Sequence, residues 1–233
     1  MKNLTPIFFT VLTLILLSCR NENEVKVKEQ SYTSGKESIL VDESFAPILE
    51  DEEYIFESAY PDASLDLIMK SENELLNLFL SDSAQVAVLS RLLTKEESKH
   101  FESKNIKIRI NRFAIDGIAL ISHKSTIDST VDVADIISRL KGQSSAINSL
   151  VFDNANSSTI RYFKDLAGVK EIPSTGIYAL KSNSEVIKYI NDNPGAIGVV
   201  GVNWIVQPPV ELEGIVENLK ILSARNLKGK PGS

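Results

Sequence analysis

The feature that most constrains the fold is a regular alternation of strand-like and helix-like segments along the chain. Short apolar runs that favour strands lie at residues 38–41, 64–69, 85–89, 106–113, 118–121, 150–152 and 196–200. Segments with helical spacing lie between them, at residues 45–59, 71–80, 94–104, 132–140, 157–166 and 184–190. Since alternating strands and helices of these lengths form crossover units, the sequence predicts an α/β fold built on largely parallel sheets.

Helix-start signals support these boundaries. Ser44 is placed to cap the first helix. Ser71 with Glu74, and Thr94 with Glu97, have the spacing of capping boxes, in which the two residues satisfy each other's backbone N–H groups. Three helices are therefore predicted to begin at defined polar residues.

Composition excludes several classes of function. Lys and Arg total 25 against 31 Asp and Glu, a net charge of -6, which argues against a nucleic-acid surface. The single Cys excludes a disulfide framework within the chain and a cysteine-built metal site, and only two His are present. Both His, at positions 100 and 123, are interpreted as surface residues. We therefore expect neither an enzyme, nor a cofactor, nor a metal site.

The N-terminus carries a targeting pattern. Residues 6–17 are almost wholly apolar, too short to span a bilayer as a helix but suited to the core of a signal peptide. The following Ser18-Cys19 resembles a bacterial lipobox, which predicts a signal peptide over residues 1–18 and lipid attachment at Cys19. An ordinary secretory signal that ends near a Cys is the alternative.

Residues 19–36 are polar, lack aromatic residues until Tyr32 and are interpreted as a flexible tether. In the lipoprotein sorting rule, Asp after the lipidated Cys favours the inner membrane, and here Arg20 stands in that place. We therefore expect the periplasmic face of a bacterial membrane, with the outer membrane favoured over the inner one.

A shift in charge divides the remaining chain. Ten carboxylates and no Lys or Arg lie between Glu37 and Asp66, whereas the region after residues 111–117 is much less acidic. We interpret this as two α/β lobes, residues 37–112 and 113–223, and regard most of the acidic residues as a solvated helix face.

The segment after the apolar run at 150–152 is the strongest candidate binding site. A loop of small polar residues leads into a helix through Asn156, Ser157, Ser158 and Thr159. Such a turn presents free N–H groups at the positive end of the helix dipole, which suits an oxyanion, and Arg161 adds a charge. Plain N-capping is the alternative, and the chain has no glycine-rich Walker pattern.

Two further turns repeat this geometry. Ser90 and Arg91 directly follow the run at 85–89, and Ser44 follows the run at 38–41. Strand ends in open α/β sheets are where ligands bind. Three hydroxyl-bearing turns in such places favour a cleft that binds an anion.

Several segments together carry a family resemblance. The chain resembles the phosphate-binding (PstS-type) lipoprotein of bacterial phosphate ABC transporters, in a Bacteroidetes-like branch. The matching segments cover most of the chain after residue 35 and are Val41–Phe45, Tyr60–Pro61, Ser90–Glu97, Ile115–Ile121, Val151–Asp153, Asn156–Thr159 and Gly195–Gly198.

The resemblance implies a two-lobed type II periplasmic-binding-protein-like fold, with the second lobe inserted in the first. It implies a monomer that captures inorganic phosphate or a similar oxyanion between its lobes and delivers it to an ABC transporter permease. The phosphate-binding residues that it implies are Ser44, Ser90, Arg91, Asn156, Ser157, Ser158, Thr159 and Arg161.

The chain also departs from that family. Asp153 stands where the family usually has Arg, Arg91 where better-known members have a proton-accepting Asp, and Ser158 where it has Gly. Residues 224–233 resemble the start of a segment that returns to the first lobe, which predicts a C-terminally truncated chain. A lipoprotein scaffold or sensor that keeps the fold without transport is therefore the alternative function.

Overall fold

The computed structural model describes residues 31–225. The predicted signal peptide, the lipid-accepting Cys19 and most of the predicted tether lie outside the described residues, as does the end of the chain from residue 226. Within the described part, no helix is long and apolar enough to cross a membrane.

The N-terminal half of the structure is a three-stranded parallel sheet with helices between its strands. The strands are β1 (Gly35–Asp42), β2 (Ala63–Lys70) and β3 (Val86–Val88), in the order β2-β1-β3. The helices are α1 (Ala46–Ala59), α2 (Glu72–Leu80) and α3 (Lys95–Ser103). Fully buried aliphatic side chains on β1 and α2, among them Leu40 and Leu75, hold the sheet to its helices.

The second half is a five-stranded mixed sheet in the order β7-β6-β8-β4-β9. Its strands are β4 (Ile118–His123), β6 (Leu150–Phe152), β7 (Ile177–Ala179), β8 (Ile197–Gly201) and β9 (Leu219–Ile221). Strands β7, β6 and β8 are parallel, and β4 runs antiparallel to both of its neighbours. A separate parallel pair joins β5 (Thr130–Asp132) to β10 (Ser223–Arg225).

Helices cover both faces of this sheet. They are α4 (Val133–Leu140), α5 (Ser158–Ala167), α6 (Asn183–Asp192), α7 (Asn203–Val206) and α8 (Glu213–Val216). Since successive side chains of a strand point to opposite faces, Phe152 packs in one core with α4 and α5, and Val151 packs in the other with α6 and Trp204. Only residues 153–157 separate the end of β6 from the start of α5.

The predicted α/β class is confirmed, and so is the Thr94–Glu97 capping box. The other two cap predictions are wrong. Ser71 precedes α2 but makes no side-chain cap, and its hydroxyl has no hydrogen-bond partner among residues 31–225. Ser44 lies inside a short 3-10 turn (Glu43–Phe45) that is capped by Asp42, whose Oδ1 accepts the Ser44 N–H at 3.1 Å.

The predicted strand over residues 106–113 is also wrong. Ile110 is 66% exposed and Phe113 is 61% exposed, in a segment with no strand between α3 and β4. An extended segment becomes a strand only where another strand satisfies its N–H and C=O groups, and none in the described part of the chain pairs with it. The three-stranded and five-stranded sheets share no strand among residues 31–225. The lobe boundaries at residues 112 and 113 stay a prediction.

Candidate functional site

A polar cavity lies between the two sheets, at the carboxyl ends of β1, β2 and β6. Its volume is about 150 Å³. The residues that line it are Asp42, Glu43, Met69, Lys70, Ser71, Glu74, Asp153, Asn154, Ser157 and Lys181. Strand carboxyl ends are where ligands bind in open α/β sheets, so this is the candidate site.

The start of α5 forms one wall of the cavity. Ser157 caps the helix, as the sequence predicts, because its Oγ accepts the N–H of Ile160 at 3.3 Å. Ser157 Oγ also donates to Asp153 Oδ1 at 2.6 Å, and Thr159 Oγ1 donates to the same carboxylate oxygen. All three side chains are buried. The hydroxyls predicted to bind phosphate therefore hold a carboxylate that belongs to the protein.

Ser44 and Ser158 meet beside this wall. Their Oγ atoms are 3.2 Å apart, although the residues are 114 positions apart in the chain. The carbonyl of Ser44 also accepts hydrogen bonds from Asn203 Nδ2 at 2.9 Å and from Trp204 Nε1 at 3.2 Å. Ser44 thus joins the first sheet to the second, and neither Ser44 nor Ser158 lines the cavity itself.

The remaining predicted donors form a separate cluster around Glu72, at the start of α2. Arg161 Nε lies 2.6 Å and Arg91 Nε 3.2 Å from Glu72 Oε1, and Ser90 Oγ donates to Oε2 at 2.9 Å. Glu72 is only 1% exposed. The two arginines that the sequence assigns to an anionic ligand therefore neutralise a buried carboxylate, and neither lines the cavity.

Arg91 has a second carboxylate partner. Its Nη1 and Nη2 atoms donate to Glu97 Oε2 and Oε1, both at 2.8 Å. This two-point hydrogen bond lowers the pKa of Glu97 to about 2 and raises that of Arg91. The same Glu97 closes the capping box of α3, so Arg91 is held between two helices.

Asn156 lies at the exposed rim. Its carbonyl accepts the N–H of Asn73 at 3.2 Å, and its Oδ1 accepts Asn73 Nδ2 at 3.4 Å. It therefore adds a contact between the two halves of the molecule. Ligand binding by any of the eight predicted residues stays a prediction, and of these only Ser157 lines the cavity.

The sequence interpretation missed Asp42, Glu43 and Asn183. Glu43 Oε2 accepts Asn183 Nδ2 at 2.6 Å, and Oε1 accepts the backbone N–H of the same residue at 3.2 Å. Asn183 Nδ2 also lies 3.4 Å from Asp153 Oδ2. The available signal was the placement of Asp42-Glu43 and Asp153 directly after apolar runs, the same rule that selected Ser44 and Ser157.

The hydrogen bonds that the carboxyl groups of the cavity accept do not offset the cost of burying them. Burial raises the pKa of Asp42 to about 6 and that of Glu43 to about 7, and it raises the pKa of Asp153 as well. Asp42 Oδ2 is fully buried and, like Ser71 Oγ, has no hydrogen-bond partner among residues 31–225. Two buried polar atoms on lining residues are thus left for something else to satisfy.

The cavity combines these carboxyl groups with two lysines. Within residues 31–225, no three His, Cys, Asp or Glu side chains are grouped so that they could hold a metal ion. The Lys70 and Lys181 side chains that line the same cavity add positive charge instead.

Solved structures with the same fold include transport proteins and a regulatory domain. A candidate phosphate ABC transporter substrate-binding protein from Clostridium perfringens, with bound phosphate, matches with a TM-score of 0.63 and 20% identity over 82% of this chain and 76% of that one. An ABC-type phosphate transport receptor from Vibrio cholerae matches at 0.53 and 17%, over 82% and 76%. The CcmR regulatory domain from Synechocystis, in complex with 2-PG, matches at 0.57 and 14%, over 86% and 91%.

At these identities the structural matches establish the fold and not the ligand. No curated protein sequence matches the chain. A family model described as the PBP superfamily domain matches residues 27–230, which include every described strand and helix. The chain therefore belongs to the PBP superfamily.

Proposed function

We propose that this chain is a membrane-tethered solute-binding protein that captures inorganic phosphate, or a similar oxyanion, and delivers it to an ABC transporter. The observation that carries the proposal is the start of α5, where two buried hydroxyls already hold a carboxyl oxygen, that of Asp153. A donor set that binds a carboxylate oxygen is chemically suited to a phosphate oxygen. The role is binding and not catalysis.

The proposed capture uses dipoles together with two lysines. Ser157, Thr159 and the free N–H groups of the first turn of α5 supply hydrogen bonds, and Lys70 and Lys181 supply positive charge. Contacts between the two halves, such as Ser44 to Ser158, suit a closed form of two lobes over residues 37–112 and 113–223. Closure around the solute would be the mechanism.

The test is isothermal titration of the purified chain with phosphate and with sulfate. We expect phosphate to bind, and Ser157→Ala to weaken binding about tenfold or more, since it removes a buried donor worth roughly 1.4 kcal/mol or more. Ser129→Ala, at an exposed position away from the cavity, is the matched control and should bind as the unmodified chain does. A folded chain that gives no heat with either anion would overturn the proposal.

A lipoprotein sensor or scaffold is the second candidate. It is favoured by the engagement of the α5 hydroxyls with Asp153 and of Arg91 and Arg161 with Glu72. The CcmR regulatory domain shows that the same fold also serves regulation. This candidate predicts no loss of phosphate uptake when the gene is deleted from the source cells, whereas the transport proposal predicts a loss.

We further propose that the chain is anchored through a lipid on Cys19 at the periplasmic face of a bacterial membrane, with the outer membrane favoured. The support is the lipobox-like Ser18-Cys19 sequence and Arg20 after it. Expression with a labelled fatty acid should label the chain, and Cys19→Ala should abolish the label. Labelling that survives this substitution would contradict the assignment.

A further inference from the structure

The side chain of Asp153 lies where an anionic ligand of α5 would have to bind. Its Oδ1 accepts from Ser157 Oγ at 2.6 Å and from Thr159 Oγ1, and the carboxyl group is 1% exposed. A hydroxyl has one proton to donate. While both hydroxyls donate to Asp153, neither can donate to a solute in the cavity.

The cavity has a place for a solute beside this carboxylate. Asp42 Oδ2 and Ser71 Oγ are buried on residues that line it, and neither has a hydrogen-bond partner among residues 31–225. Buried polar groups are nearly always satisfied, so these two atoms point to a polar occupant. This observation is independent of the helix start and of the bonds that Asp153 makes.

The charged groups around Asp153 determine whether an anionic solute is attracted or repelled there. Asp42 ends β1, Glu43 lies in the 3-10 turn, Lys70 ends β2, and Lys181 follows β7. Carboxyl groups of the first half, Asp42, Glu43 and Glu74, therefore line the cavity together with Asp153 of the second half, and an ionised Asp153 would repel a solute anion at short range. Asn183 Nδ2, 3.4 Å from Asp153 Oδ2, offers the carboxylate a second hydrogen-bond donor away from the α5 hydroxyls.

We infer that Asp153 is an intramolecular competitor for the oxyanion, so that a solute binds at the start of α5 only by displacing this carboxylate. Asp153 thereby sets the affinity of the site and restricts it to solutes that bind strongly enough to replace it. The inference rests on the proposed function and adds a residue that controls its selectivity.

The experiment compares phosphate titrations of the unmodified chain with those of Asp153→Ala, Asp153→Asn and Glu74→Gln at one pH and salt concentration. Removing the competitor should tighten phosphate binding at least tenfold in Asp153→Ala. A smaller gain is expected in Asp153→Asn, whose amide is neutral but still accepts from Ser157. Glu74 is an exposed carboxylate that lines the same cavity, so Glu74→Gln controls for a general change of charge.

The outcomes separate the inference from the proposed function. Phosphate binding that is tighter in Asp153→Ala than in both the unmodified chain and Glu74→Gln supports the inference. Phosphate binding by the unmodified chain that is equal or weaker in both Asp153 variants overturns the inference and leaves the proposed function intact. No binding by any of the four folded proteins overturns both. If Asp153→Ala does not fold, Asp153→Asn carries the test.

Discussion

Two buried acidic clusters lie between the sheets, and different kinds of groups stabilise their carboxyl groups. At the first, Glu72 receives two guanidinium groups and a hydroxyl. At the second, Asp42, Glu43 and Asp153 share neutral donors and face a cavity, and burial raises the pKa of each. We call these the Glu72 cluster and the cavity cluster.

The difference separates a structural role from a binding role. Both oxygens of the buried Glu72 carboxylate accept hydrogen bonds from fixed donors, which leaves it little to offer a solute. The cavity cluster keeps an unpartnered oxygen on Asp42 and has a volume beside it. Substitutions of Glu72 should therefore lower stability, and those in the cavity cluster should change binding and the dependence of stability on pH.

The largest effect on stability is expected from Glu72→Gln. It leaves Arg161 and Arg91 facing a neutral amide, and breaking such a buried ion pair costs about 3 kcal/mol. Urea unfolding measures the change. Asp82→Asn breaks the exposed pair of Asp82 with Lys104 and should cost less than about 1 kcal/mol. Equal costs for the two substitutions would show that Glu72 contributes no more to stability than an exposed ion pair does.

The next largest effect is the dependence of stability on pH that the Glu43 carboxyl group causes. Its pKa is about 7 in the folded chain against an ordinary 4.5. Between these values the folded chain holds a proton that the unfolded chain has lost, so stability falls as pH rises and the penalty is complete above pH 7. The difference in pKa corresponds to roughly 3 kcal/mol at most, since the neighbouring carboxyls share it.

Glu43→Gln should flatten this dependence. Its amide oxygen still accepts a hydrogen bond from Asn183, but the side chain never ionises. Unfolding by urea at pH 5 and pH 8 should show a smaller loss of stability for the variant than for the unmodified chain. An equal loss in both proteins would show that Glu43 is ionised without penalty.

The smallest effect is expected from Ser90→Ala. Ser90 Oγ donates to Glu72 at 2.9 Å and accepts from Arg161 Nη2 at 3.0 Å, at a partly exposed place. Loss of the hydroxyl should cost about 1 kcal/mol in urea unfolding and leave phosphate affinity unchanged. Weaker phosphate binding with unchanged stability would instead place Ser90 in the ligand site, as the family resemblance implies.

Local patterns in the sequence were enough to predict the fold class and the turns where the site lies. The alternation of periods identifies most strands, and the Thr94–Glu97 box and the start of α5 lie where their residues predict. The capping box and the start of α5 depend on contacts within a few residues of the chain. Contacts between residues that are close in the chain can be predicted without a structure.

Much of what failed depends on distant partners, although the absent Ser71–Glu74 box and the bonds from Ser157 and Thr159 to Asp153 are local. Residues 106–113 have a strand-like alternation, but a strand needs a neighbour that only the fold supplies. Arg161 meets Glu72 from 89 positions away, and Asn183 meets Glu43 from 140. The sequence therefore showed which donors exist without showing that Glu72 and Asp153 occupy them.

The most direct test of the account is a crystal structure of the chain with phosphate. It should show a tetrahedral anion in the cavity, hydrogen-bonded to Ser157 and Thr159, with the Asp153 carboxylate moved away from both hydroxyls. The Glu72 cluster should be unchanged. An anion bound by Arg91 and Arg161 instead, with Asp153 still bonded to Ser157, would contradict the assignment of the site.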